Sequence, residues 1–143
     1  MKELIRLSEK INPVHEEIQS YGVTRSFSGK RTITPDEFRK FAAELMASIT
    51  ESCLKKGAKE IGHIKAHLDY ESGFLSADTL GSPEDVTVEG RDGDPAKELT
   101  VVINSVIYGL TKEAVRTATE ESLEAVSAEF GMVENKGNEK KEK

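Results

Sequence analysis

Between residues 35 and 56 the apolar positions keep a helical period. Phe38, Phe41, Ala42, Leu45, Ile49 and Cys53 recur three and four apart, which places them along one stripe. Thr34-Pro35-Asp36-Glu37 reads as the start of that helix. A threonine caps, a proline suits the first helical position, and acids favour the positive end of the dipole. Lys55, Lys56 and Gly57 read as its end. After Gly57 the period falls to two. Ile64, Ala66, Leu68 and Tyr70 alternate with His63, Lys65, His67 and Asp69, the signature of a strand with one buried face.

Glu71-Ser72-Gly73 turns the chain, and Phe74–Leu80 returns as a second strand. Val86–Glu89 is a third, short one. Arg91-Asp92-Gly93-Asp94-Pro95 contains Asp-Gly and reads as a second hairpin connection. Leu99–Tyr108 is the most apolar stretch, hydrophobic on both faces, and predicts a central or doubly covered strand. Thr111 caps a final helix whose core positions are Val115, Ala118, Leu123, Val126 and Phe130, with Gly131 as its stop.

The ends are less regular. Leu4, Leu7, Ile11, Val14 and Ile18 form a narrow helical stripe interrupted by Pro13. Residues 21–34 are rich in Gly, Ser and Thr and read as a strand or a loop. The pattern predicts an α+β fold: an antiparallel sheet of about four strands, with two main helices on one face and an N-terminal helical segment. The expected division is 1–34 as N-terminal segment and loop, 35–131 as the α+β domain, and 132–143 as a disordered charged tail. Short connections favour a meander.

Composition narrows the function. The 143 residues carry 20 Lys+Arg and 26 Asp+Glu, for a net charge of −6. That acidity argues against a general nucleic-acid binder. No apolar run approaches the ~20 residues that cross a bilayer, and charges in the first ten residues do not suit a signal peptide. A single cysteine, Cys53, permits no internal disulfide. These features lead to the expectation of a cytoplasmic protein without a membrane partner.

Three groups of residues could carry chemistry. His63, His67 and Asp69 share one face of a strand, and His and carboxylate ligands suit a divalent transition metal. Four residues of extended strand span roughly 13 Å, too far for two ligands on one ion unless a bulge near Gly62 shortens the path. His15, Glu71 or Asp78 would have to supply a further ligand. Asn104 is a polar residue in the most apolar strand, Tyr108 closes that strand, and Lys65 stands on the His63–Asp69 face; these three are candidate ligand or interface residues. Arg25, Lys30 and Arg31 form a small basic cluster able to contact an anion. Gly29-Lys30-Arg31-Thr32 is not a phosphate loop: Thr24 stands where the first glycine belongs and Arg31 where a Ser or Thr would bind magnesium. Asp92-Gly93-Asp94 lacks the other acids of a calcium loop. Cys53 falls on an apolar stripe, and no pairing of nucleophile and base stands out.

The run Gly57-Ala58-Lys59-Glu60-Ile61-Gly62-His63-Ile64-Lys65, together with Val102-Ile103-Asn104-Ser105-Val106-Ile107-Tyr108-Gly109-Leu110, resembles the C-terminal α+β domain of archaeal-type CobW-like P-loop GTPases. The resemblance covers roughly residues 35–130. It implies a module without the GTPase domain, since this sequence has no phosphate loop, and no catalytic residue carries over. What it implies is an accessory role in metal or corrinoid handling.

The leading expectation is therefore a non-enzymatic binding module that works through protein–protein contact, as a homo-oligomer or with a larger partner. The alternatives are a metal-binding accessory protein using His63, His67 and Asp69, and a small enzyme with an intersubunit site around Asn104 and His63.

Overall fold

The computed structural model describes residues 18–82 and 85–135. In chain order the elements are β1 (Ile18–Ile33), α1 (Pro35–Lys55), β2 (Glu60–Tyr70), β3 (Gly73–Thr79), β4 (Val86–Arg91), β5 (Ala96–Tyr108), α2 (Lys112–Glu129) and β6 (Met132–Glu134). The helical stripe expected at the N-terminus, and His15 with it, lies outside the described residues.

Both helices start and stop as their sequences dictate. Thr34 and Glu37 form a reciprocal cap: the Glu37 N–H donates to Thr34 Oγ1 at 3.2 Å, and the Thr34 N–H donates to Glu37 Oε1 at 2.9 Å. Gly57, at φ +105°, then lets the chain leave α1. Phe38, Phe41, Leu45, Met46 and Ile49 are fully buried along the α1 stripe. Thr111 caps α2 by accepting from the Ala114 N–H at 3.0 Å, and Val115, Ala118, Leu123 and Val126 face the core.

The six strands form one antiparallel sheet in the order β4-β3-β2-β5-β1-β6. Both helices cover the same face, α1 over β2, β3 and β4, and α2 over β1, β5 and β6. Removing the β3–β4 hairpin leaves β-α-β-β-α-β with the spatial order β6-β1-β5-β2, the split βαβ arrangement of ferredoxin-like folds. The protein is that arrangement with a hairpin inserted between β2 and β5.

The sheet has six strands, not four. The two additional ones lie in segments whose sequences look irregular. In β1, Tyr21, Val23, Arg25 and Phe27 face the helices, while Gly22, Thr24, Ser26 and Ser28 face away. Small polar residues and one arginine dilute that alternation. Met132–Glu134, expected to belong to a disordered tail, instead pairs with Phe27–Gly29 after Gly131 reverses the chain at φ +72°. The sheet thus runs across the boundaries expected at residues 34 and 131.

The expected meander holds only for β2-β3-β4. β4 and β5 do not pair, so the Asp-Gly segment is no hairpin turn: it crosses the end of the sheet and inserts β5 between β2 and β1. The Arg39 guanidinium meets Asp92 at 2.8 Å, the Gly93 N–H donates to Tyr70 Oη at 3.1 Å, and the Asp94 N–H donates to Ser72 Oγ at 2.6 Å. β5 is the strand most in need of neighbours. Central placement gives its backbone a ladder on each side and leaves the short strands β4 and β6 at the edges.

Candidate functional site

Helices on one side leave the other face of the sheet without a second layer among the described residues. β5 shows the contrast most clearly. Leu99, Val101, Ile103, Ser105 and Ile107 point to the helices and are buried, whereas Thr100, Val102, Asn104, Val106 and Tyr108 point away. Val102 is 44% exposed.

The structure gathers six of the predicted residues onto this open face. His63, Lys65, His67 and Asp69 alternate outward along β2, and Asn104 and Tyr108 do the same on β5. Their register is direct: Lys65 stands opposite Asn104, His67 opposite Val102, and His63 opposite Val106. The ladder shifts by one residue between Ile61 and His63, a bulge at Gly62. A Cβ on Gly62 would meet Tyr108 Cε1 at 3.0 Å and the Val106 carbonyl oxygen at 2.9 Å, so glycine lets the tyrosine ring lie against the strand.

Around His67 the face is aromatic and charged. The imidazole stacks on Phe74 with ring centroids 6.1 Å apart, and the Arg91 guanidinium lies 6.0 Å from the centroid of the same phenyl ring. His67 Nδ1 is 3.4 Å from Ser76 Oγ, and His67 Nε2 is 4.0 Å from Asp69 Oδ1. These two are the members of the metal candidate set that the structure brings together. His63 lies four residues farther along β2. Asp78 sits opposite Lys65 on the same face, and Glu71 lies in the β2–β3 turn. Among the described residues, no group of three or more His, Cys, Asp or Glu side chains is close enough to hold a metal ion.

The basic cluster is dispersed. Arg25 turns to the helix side of β1, where it meets Glu134 at 3.2 Å and Glu120 at 3.5 Å. Glu120 also accepts a hydrogen bond from Tyr21 Oη and pairs with Arg116 at 3.4 Å, so this network fastens α2 to β1. Burial, and then Glu120, push the Tyr21 phenol upward. Lys30 and Arg31 occupy a wide bulge in which five steps from Ser28 to Ile33 face two from Glu98 to Ala96. There Arg31 grips Glu37 through two hydrogen bonds of 2.8 and 3.1 Å. The Arg31 hydrogen bond, with the Thr34 N–H next, holds the Glu37 carboxyl down at about 2. Cys53 is buried, and burial pushes its thiol up to about 11, the condition of an inert structural thiol.

Sequence reasoning missed Phe74, Ser76, Arg91 and Val102 as members of this face. Their outward positions follow once the β2–β3–β4 register is known.

No known protein-family model matches the chain, and no curated protein matches its sequence. Two solved structures are similar to it, both of a YjiA GTPase, the first of them from E. coli. The Zn(II)-bound form shows 17% identity over 78% of this chain and 31% of that one, with a TM-score of 0.36. A Zn(II)-bound triple mutant of the same GTPase shows 17% identity over 73% and 29%, with a TM-score of 0.35. The chain thus spans about a third of the length of the structures it matches.

Proposed function

We propose that this chain is a non-enzymatic binding module that acts through protein–protein contact across the open face of its sheet. The observation that supports the reading is Val102: an aliphatic side chain at the middle of the central strand, 44% exposed, on a face that also presents Phe74, Val106 and Tyr108. Apolar side chains grouped on one face and rimmed by polar residues mark surfaces that other molecules cover. The partner is a second copy or a larger protein. Sedimentation velocity of the full chain tests this: association that rises with concentration and is lost in Val102→Glu, with an unchanged melting temperature, is the expected result. A monomer at high micromolar concentration whose open-face amide signals ignore concentration would remove self-association.

A role in metal or corrinoid handling belongs to the same proposal. The two runs that carry the CobW-like resemblance are far apart in sequence, yet β2 and β5 are adjacent strands, with Glu60 opposite Tyr108, His63 opposite Val106 and Lys65 opposite Asn104. The resemblance therefore falls on one continuous patch, not on two unrelated segments.

His67 and Asp69 favour a second reading, in which these two side chains hold a divalent transition metal and water takes the place of the third protein ligand that the described residues do not bring close. Calorimetry with zinc, nickel and cobalt on the chain and on a His63→Ala/His67→Ala variant decides it. Loss of binding in the variant supports the site, and equal affinity eliminates it.

A further inference from the structure

The two edges of the sheet differ. β6 has three residues, and directly after it the Asn135 N–H donates to the Ser26 carbonyl at 2.8 Å. β4 has six residues, Val86–Arg91, all paired with β3 without a shift of register. It ends the strand order, so among the described residues its other side has no strand. Alternate residues of an antiparallel strand turn their N–H and C=O groups to that side. Devices that commonly protect such an edge are missing. Val86–Arg91 contains no proline and no lysine, and Val86 and Val88, not charges, turn to the helix side.

The sequence of this edge selects its partner. Val86, Val88 and Gly90 stand opposite the buried Thr79, Ala77 and Leu75, while Thr87, Glu89 and Arg91 share the open face with Asp78, Ser76 and Phe74. Asp85 stands one step before the strand. When two copies of one strand pair antiparallel about a two-fold axis, opposed residues share a face, so one residue sits at the axis and opposes itself. Centred on Val88, the axis sets Asp85 against Arg91, Val86 against Gly90 and Thr87 against Glu89. Opposite charges then meet at both ends. Centred on Thr87, it sets Asp85 against Glu89, and centred on Glu89 it sets two glutamates together. Like charges directly opposite one another destabilise a sheet. Among the described residues neither Asp85 nor Arg91 pairs with an opposite charge in its own chain, and the Arg91 guanidinium lies over Phe74. Val88, half-buried against the core, gains cover from its own copy.

We propose that β4 pairs with β4 of a second copy, antiparallel and centred on Val88, so that one sheet runs through both molecules. The inference rests on the reading of the chain as a protein-contact module and divides its surfaces. The edge takes the second copy. The open face, whose exposed Val102 lies three strands away on β5, is left for a different protein.

Charge reversal tests the pairing, read by sedimentation velocity of the full chain. Asp85 and Arg91 are exposed, so reversing them leaves the core as it is. Arg91→Asp alone and Asp85→Arg alone should each self-associate about tenfold more weakly than the parent. Mixed in equal amounts, these two variants should associate again, because each meets the opposite charge at both ends of the other. Asp85→Arg/Arg91→Asp in one chain should self-associate like the parent. In the isotope-labelled parent, amide signals of Asp85–Arg91 should shift with concentration. A parent that stays monomeric at high micromolar concentration overturns the proposal. So do single variants that associate like the parent, or a mixture that associates no better than its components. Association that Val102→Glu abolishes also overturns it, while supporting self-contact through the open face. Association that survives Val102→Glu and follows the charge swap supports the edge and removes the second copy from the open face.

Discussion

β5 carries aliphatic side chains on both faces, and the two faces have opposite fates. On the helix side no residue from Leu99 to Ile107 is more than 2% exposed. On the other side Val102 and Tyr108 meet solvent. The same amino-acid types thus do different work on neighbouring positions of one strand. Covered positions hold the sheet to its helices, and uncovered positions determine what the sheet can meet. Hydrophobicity alone does not separate the roles, because the separation depends on where α1 and α2 lie.

Truncating each face in turn puts this difference to the test. Ile103→Ala should cost about 2–5 kcal/mol of unfolding free energy, the range for a buried large-to-small change. Val102→Ala should change it by less than about 0.5 kcal/mol, as for an ordinary surface position. Urea titration reads both, and equal losses would abolish the distinction.

A smaller effect separates two kinds of buried hydroxyl on the covered side. Ser105 Oγ on β5 lies 3.0 Å from Thr119 Oγ1 on α2, and Thr119 Oγ1 also donates to the Val115 carbonyl at 2.8 Å. Thr119→Val should cost about 1–3 kcal/mol by leaving Ser105 unpaired, and adding Ser105→Ala should recover part of that loss. Ser127 Oγ is buried with no hydrogen-bond partner. Ser127→Ala should therefore be neutral or stabilising by up to about 1 kcal/mol in the same titration.

Next comes the α1 cap. Thr34→Ala should cost about 1 kcal/mol in thermal or chemical unfolding. The smallest effect is acid sensitivity. Glu37 has its folded-state pKa held down to about 2, below its ordinary value of 4.5, so its contribution is present above 4.5 and fades as pH falls towards 2. Glu37→Gln should flatten the stability profile in that window and leave it unchanged at neutral pH relative to its own plateau. A profile of identical slope in both proteins would assign the acid loss to other carboxylates.

Much of this fold is legible in the residues. α1 and α2 declare themselves through Thr34 and Thr111 at their starts and one apolar stripe each. β2 does so through strict alternation, and alternation alone puts His63, Lys65, His67 and Asp69 on one face. β1 is harder to see because Arg25 takes an inward position between Val23 and Phe27, its charge met there by Glu120 and Glu134. That same inward turn separates it from Lys30 and Arg31. β6 has three residues and no pattern of its own. The β4–β5 crossover is hidden because Asp92-Gly93 satisfies the local chemistry of a turn, while the partner of each strand is set by contacts distant in sequence.

Spacing and caps therefore suffice for the helices, the alternation of β2, the apolarity of β5 and the chemistry of the face that β2 presents, because both act over a few residues. Tertiary contacts were needed to place β5 between β2 and β1 and to bring both helices to one face. Each of these is a choice between neighbours remote along the chain, and it is settled by burying the most apolar strand at the centre of the sheet.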